Sequence, residues 1–289
     1  MKTITAEHLI YAYGDEAEPA LTVAQDEEFR LETHDRFAPL LRGERLDERD
    51  INQVTGYVYV KGVKPGRSLR VDIAGIELHG NGGIIIAAPG LGGFKDKIDR
   101  FAAKEVSFDG HHAYFRDDIK IPLNPMIGRI GTFPAGEPVP SGTPGPHGGN
   151  MDNNHITRGS TVYLPVYREG ALLAAGDLHA AMGDGESIIS GIEAYGTVTL
   201  RCAAVDSPSV SRPMVATDRW VMTTAEGDTL EEAHRIALDD MANLLAMRLQ
   251  MDYVEAAMLI SAAGELRICQ IVNPKVGVKV MIPATILSL

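Results

Sequence analysis

Apolar and polar residues alternate with period two through much of the first two hundred positions. In FRLETH, Phe29, Leu31 and Thr33 alternate with charged partners. In VTGYVYVKGV, Val58 and Val60 fall on one face and Tyr57 and Tyr59 on the other. In SLRVDIAGIEL the series Leu69, Val71, Ile73 gives way to Ile76 and Leu78. Runs of this length between Gly-containing turns predict antiparallel strands in a sandwich or barrel. GGIIIAAPGLGG reads as a buried strand and a glycine turn. Pro89 precedes its glycines and no helix pattern follows, which sets it apart from a phosphate loop. The period changes late in the chain. Thr229 and Glu232 form a capping-box pair, and Leu230, Ala233, Ala237, Met241, Leu244 and Leu245 then recur at helical spacing. Asp252 with Glu255 opens a second helix, stopped at Gly264, before LRICQIV and VGVKVMI close the chain as strands. The expected fold is α+β and predominantly β: a sandwich- or barrel-like N-terminal part, a late helical pair and closing strands. The expected division is a mainly β domain over residues 1–200, carrying most of the site, and an α/β part over 201–289 packed on it.

Between Thr132 and Gly159 the pattern gives way to a long segment dense in Gly and Pro, the kind of loop that in a compact domain is functional or disordered. Its polar cluster favours function. GPHGGNMDNNH holds His147, Asn150, Asp152 and His155; AAGDLHAAMGDGE holds Asp177, His179, Asp184 and Glu186. The intervening TVYLPVYREGALLAA reads as a hairpin turning at Arg168-Glu169-Gly170, which would bring the two pieces together. On an extended strand Asp177 and His179 share one face, with Leu178 pointing into the core. A carboxylate and an imidazole so placed suit a divalent metal or a general base, and Asp152 could complete the set. Zn²⁺ is the first expectation and Ca²⁺ the alternative. Such a metal would lower the pKa of a bound water to about 7, and Glu186 could carry a proton to a departing amine. Backbone N–H groups at Gly148-Gly149 could face a developing oxyanion. Bland readings stand beside these: Asp184-Gly185 as a turn pair, His155 as a solvated loop residue, His111-His112 as a turn feature, and Asp-x-His itself as structural.

Composition narrows the partners. A formal net charge of −12 argues against nucleic acid and anionic membranes, which need a positive footprint, and fits a neutral or cationic small molecule. Cys202 and Cys269 each lie in an apolar run and read as buried strand thiols. The N-terminus lacks the pattern of a signal peptide, and no apolar run approaches a membrane span, so a cytoplasmic location is expected. There is no Gly-x-Ser-x-Gly elbow to supply a serine nucleophile.

NPMIGRIGTFP, then GPHGGNMDNNHITRGSTVYLPVYREGALLAAGDLHAAMGDGE, and later ELRICQIVNPKVGVKVMIP, resemble the acetamidase/formamidase family. FRLETHDRF and NQVTGYVYVKGVKPGRSLRVDI fit more loosely, so the similarity spans most of the chain. The resemblance implies hydrolysis of formamide, acetamide or similar short amides to acid and ammonia. It also implies a largely β fold, a homo-oligomer (dimer or higher) and a bound metal. The family's characteristic polar positions fall on Asp35, His147, Asn150, Asp152, Asp177, His179 and Glu186. The expected roles are Glu186 and Asp35 in catalysis, His147, Gly148, Gly149 and Asn150 in substrate binding, and Asp152, Asp177 and His179 on the metal. GRIGTFP, and His34 before Asp35, depart from the family pattern and bear on the pocket. Few aromatics and many glycines near the site lead to the expectation of a small pocket that prefers formamide, acetamide and propionamide to aryl amides. Two alternatives remain at this level: a metal-dependent hydrolase of urea-like, guanidino or carbamoyl compounds, and a non-catalytic β-sandwich binding module with a structural metal.

Overall fold

The alternating strands converge on one apolar layer. Phe29, Leu31, Leu69, Val71 and Ile73 meet Val58, Val60, Ile127, Leu173 and Leu178 there, each essentially inaccessible to solvent. In the computed structural model, residues 1–289 are described, the side chains of Ala38 and Glu48 excepted. Among the described residues this layer lies between two large sheets. The nine-stranded sheet runs Lys2–Ile4, Glu28–Glu32, Gly196–Val205, Ser68–Leu78, Thr161–Pro165, Met214–Ala216, Trp220–Gly227, Val276–Pro283, Glu265–Gln270. The eleven-stranded sheet is centred on Leu173–Ala181, flanked by Met126–Gly131 on one edge and by Ile192–Ala194 and Val54–Val60 on the other. The fold is thus predominantly β, as the alternation predicts.

The phase change after Ile73 has a structural cause. Leu200 pairs with Ile73 and Thr199 with Gly75, which leaves Ala74 as a one-residue bulge in the long strand Ser68–Leu78. A bulge shifts every later side chain to the opposite phase, so Ile76 and Leu78 return to the core side.

The late helices Leu230–Leu249 and Tyr253–Ala263 cover a second apolar layer over Val221, Ala225, Val278, Val280 and Ile282 of the nine-stranded sheet. Ala233, Ala237, Met241, Leu244 and Leu245 are buried at the expected spacing, whereas Leu230, in the first turn, is exposed. The Asp252–Glu255 capping box forms in both directions. At the first helix Thr229 accepts from the Glu232 N–H, but the Glu232 carboxylate accepts from Asp228, one residue too early for a box. The strand Gly196–Val205 crosses position 200, and the strands after it extend a sheet that begins at Lys2. Cys202 and Cys269 are free, fully buried strand residues whose thiols burial pushes up. No helix is long and apolar enough to cross a membrane among the described residues.

The expected hairpin between Thr161 and Ala175 does not form. Thr161–Pro165 pairs with Ser68–Leu78 and Met214–Ala216 in one sheet, while Leu173–Ala181 is central to the other. The intervening segment crosses between the sheets, bending through Ala171 and Leu172 at φ of 60° and 53°. Both strands are fully apolar on their inner faces, so each fills a place in its own sheet rather than pairing locally.

A carboxylate cluster under an apolar cavity

The two polar pieces meet by another route. Gly148–Asn150 pairs with Met126–Gly131, which pairs in turn with Leu173–Ala181; Arg129, Ile130 and Gly131 are paired on both sides, Arg129 opposite Asn150 and Gly176. Asp152 follows directly and so arrives over the strand that carries Asp177 and His179. Gly128 lies between them. A Cβ there would stand 2.5 Å from Asp152 Oδ1 and 3.1 Å from Asp177 Oδ2, so a side chain at 128 would displace the carboxylates.

Asp177 and His179 do share a face: Oδ1 of Asp177 is 3.2 Å from Nε2 of His179, and Leu178 is buried in the core. Asp177 nevertheless takes a left-handed backbone within the strand, with φ of 62°. Asp152 and Glu186 are left-handed too, at 46° and 37°. A left-handed non-glycine residue costs on the order of 1–3 kcal/mol and persists where its surroundings force it, a pattern that gathers at functional sites. Here three such residues are three carboxylates of one cluster.

Two guanidinium groups hold Asp177. Arg36 pairs with Oδ1 and Arg129 lies 3.0 Å from Oδ2. Burial by itself would raise this carboxyl, but Arg36, Arg129 and His179 outweigh it and hold it well below the usual carboxylate range. Arg36 also bonds Glu193 at 3.0 Å, and Glu193 lies 3.2 Å from His179 Nε2, its cross-strand neighbour. Burial disfavours the imidazolium, yet Glu193 and Asp177 together raise His179 well above its ordinary value.

Asp152 and Glu186 have the opposite environment. Asp152 Oδ2 accepts from Asn273 at 2.7 Å, but its Oδ1 has no partner, nor has Glu186 Oε2. Burial, then repulsion from Asp177, raises Asp152 to about 6. Burial, then Asp152, raises Glu186 well above the ordinary carboxylate value. Ligand atoms of Asp152, His179 and Glu186 lie within 4.8 Å of one another, as do those of Asp177, His179 and Glu193. The second group already contains its cation, Arg36. The first contains two crowded carboxyls with orphaned oxygens, and a divalent ion fits that need.

The C-terminal strands fasten this arrangement. Gln270 Oε1 accepts from the N–H groups of Val272 and Asn273, shaping the turn that presents Asn273 to Asp152. The Gly185 N–H donates to Cys269 O, anchoring the turn before Glu186. Fully buried Lys279 donates to Asn153, Asn154 and Asp184, and lies 3.1 Å from His155 Nδ1. His155 is therefore half-buried against an ammonium rather than a solvated loop residue.

A cavity of about 920 Å³ opens above the cluster. Asn150, Asp152, Asp177 and Glu186 border it, together with Arg36, Arg129, Glu193 and Asn273, which sequence reasoning passed over. For Arg129 in MIGRIG and Glu193 in SGIEA, as for Lys279 in VGVKVMI, the signal was a charged residue inside an apolar run. Such residues are buried only when paired. Arg36 and Asn273 carry no such signal. Asp35, His147, Gly148, Gly149 and His179 are not among the bordering residues, though Asp35 adjoins Arg36 and His179 lies beneath against Asp177 and Glu193. The cavity is also larger than the small pocket expected from composition.

His147 lies behind the wall, its ring 4.9 Å from that of Tyr13, with Nε2 unpartnered. Burial pushes its imidazole down to about 4. The unfolded chain takes up that proton near pH 6.5 and the folded chain only near 4, so stability falls as pH drops through this window, by about 1.4 kcal/mol per unit. His147→Phe is expected to flatten that limb of the stability–pH curve. Equal slopes for variant and wild type in denaturant titrations would reject this.

Comparison with known proteins agrees with the geometry. The sequence model described as the Acetamidase/Formamidase family matches residues 139–289. The crystal structure of an acetamidase from Bacillus halodurans superposes with a TM-score of 0.93 at 39% identity, covering 98% of this chain and 97% of that one. That of a recombinant predicted acetamidase/formamidase from Thermoanaerobacter tengcongensis gives 0.94 at 35% identity, covering 99% and 96%. The acetamidase of Mycolicibacterium smegmatis is 54% identical over 43 residues, 15% of this chain. Matched segments span only 11% to 16% of the curated relatives' own lengths. With the family model covering the segment that holds Asp152, His179, Glu186 and Asn273, and near-complete superposition on two of its solved structures, the chain belongs to the acetamidase/formamidase family.

Proposed function

We propose that this protein hydrolyses linear carboxamides to the carboxylate and ammonia at the Asp152–His179–Glu186 group, assisted by a divalent metal. The observation that carries this reading is the convergence of these buried side chains within 4.8 Å, two of them with unpartnered carboxylate oxygens. Family membership supports the reaction type. Asp152, His179 and Glu186 would hold the metal; Asp177, with both oxygens engaged by arginines, instead orients His179. Zn²⁺ suits a site with an imidazole, whereas Ca²⁺ takes oxygen ligands. When bound, the ion would polarise the amide carbonyl and acidify a water.

The chain's own groups do the rest. Asn273 and Asn150 are held rigidly at the cavity wall, the first by Gln270's turn and the second by Arg129 at 3.0 Å. The Arg129 guanidinium places positive charge beside the oxygen that becomes anionic when water attacks the acyl carbon. As the C–N bond breaks, the nitrogen must gain a proton. Glu186, which borders the cavity, takes the water's proton and delivers it.

The test joins elemental analysis to ammonia release from a panel of amides. Wild type is expected to bind a divalent metal, to lose activity on chelator dialysis and to regain it on re-addition. Asp152→Asn and His179→Ala are expected to lose both metal and turnover. Full activity in metal-free protein would reject the metal assignment, and ammonia release from no amide would reject the reaction.

A further inference from the structure

The cavity is far larger than the chemistry at its floor requires. About 920 Å³ stands near the top of the range that encloses drug-sized ligands, roughly 300–1,000 Å³. At about 30 Å³ per water, a formamide-sized substrate would leave room for more than twenty waters beside it. The lining is of two kinds. Polar residues come from positions 129–193 and Asn273, joined by Arg36, Glu44, Arg45 and Asn52, and Phe37, Leu40, Leu46, Ile86 and Ile189 supply an apolar wall. That wall is a packed unit of its own: Phe37, Ile84 and Ile86 are buried, and Leu40, Leu46 and Ile189 pack on them while partly open to the cavity. An apolar surface of this kind beside a polar reaction centre is complementary to a molecule with one polar head and one apolar tail.

We propose that the enzyme's preferred substrates are primary amides with an unbranched apolar acyl chain of roughly five to eight carbons, the carboxamide at the carboxylate cluster and the chain along the Phe37–Leu40–Leu46–Ile86–Ile189 wall. This rests on the hydrolytic reading above and adds the substrate class to it. The balance is that of simple hydrolysis: the water oxygen bonds to the acyl carbon, the C–N bond breaks, and the nitrogen leaves as ammonia with the proton from water. Fatty acid and ammonia, which become carboxylate and ammonium at neutral pH, are the products, and no other reactant is consumed. Binding energy from the chain, remote from the reacting atoms, would be used to hold the amide in place.

The experiment measures kcat/KM of the metal-supplied protein for formamide, acetamide, butyramide, hexanamide and octanamide. Each methylene buried against the wall should raise kcat/KM about fourfold until the chain fills the cavity. Leu46→Glu puts a charge on the wall away from the cluster and should lower the hexanamide-to-acetamide ratio at least about tenfold. Ile189→Asn serves as a second variant should the first not fold. Values that are flat or falling from acetamide to hexanamide, with acetamide turned over, overturn the inference and leave the hydrolytic reading standing. An unchanged ratio in a folded wall variant also overturns it. Turnover of no amide overturns both.

Discussion

Glu186→Gln is expected to slow ammonia release by about 10²–10⁴-fold without unfolding the protein. The carboxyl is buried, borders the cavity and has Oε2 free of any partner, so no structural bond is lost with its charge. Glutamine keeps the shape and a carbonyl oxygen that can still face a metal, though more weakly. It cannot gain and release a proton. The expected profile is therefore a large fall in kcat, a small change in melting temperature and metal retained at excess metal. Glu186→Ala, which has no ligand atom, should lose metal as well. The comparison is elemental analysis and steady-state kinetics on both variants. Wild-type kcat in a metal-loaded Glu186→Gln protein would end the proton-carrier role.

Arg36→Met should be the most destabilising single change at the site. The guanidinium is buried, with Asp177 and Glu193 bound to it and the Ile51 carbonyl accepting at 3.1 Å. Burial opposes its charge, but Asp177 and Glu193 more than compensate and raise its pKa. Removing it leaves two buried carboxylates facing each other across His179. Breaking one side of a buried ion pair costs about 3–5 kcal/mol, which for a chain of this length is a fall in melting temperature of roughly 10 °C. The loss comes from uncompensated charge rather than lost packing. Arg36→Met combined with Asp177→Asn and Glu193→Gln should therefore recover much of the stability, since neutral amides need no counter-charge. Thermal unfolding of the single and triple variants separates the two causes. Equal losses in both would assign the effect to packing.

The cluster also explains why neighbouring carboxylates differ so sharply. Two arginines hold the Asp177 carboxyl low, whereas burial raises Asp152 and Glu186, with Asp177 adding to it at the first and Asp152 at the second. One polypeptide thus holds, side by side, carboxyls whose surroundings push their affinities for a proton in opposite directions.

Local pattern was enough to determine much of this protein. Period-two alternation marked the strands, and even the bulge at Ala74 was visible as the phase change between Ile73 and Ile76. The helical repeat and the Asp252–Glu255 pair marked the late helices, because helix spacing and caps are settled within a few residues. The two-residue spacing of Asp177 and His179 put them on one face for the same reason. What lay beyond local pattern was decided by the tertiary structure. TVYLPVYREGALLAA has the residues of a hairpin but crosses between two sheets, since each half finds longer-range partners that bury it fully. Asp152 reaches His179 through Arg129's strand, and Arg36, Glu193, Asn273 and Lys279 come to the cluster from segments up to 243 residues apart. Sheet order fixes such convergence, and no spacing along the chain encodes it. The cavity, too, depends on how the Phe37–Ile86 wall stands over the carboxylates, so few aromatics in the sequence did not make a small pocket.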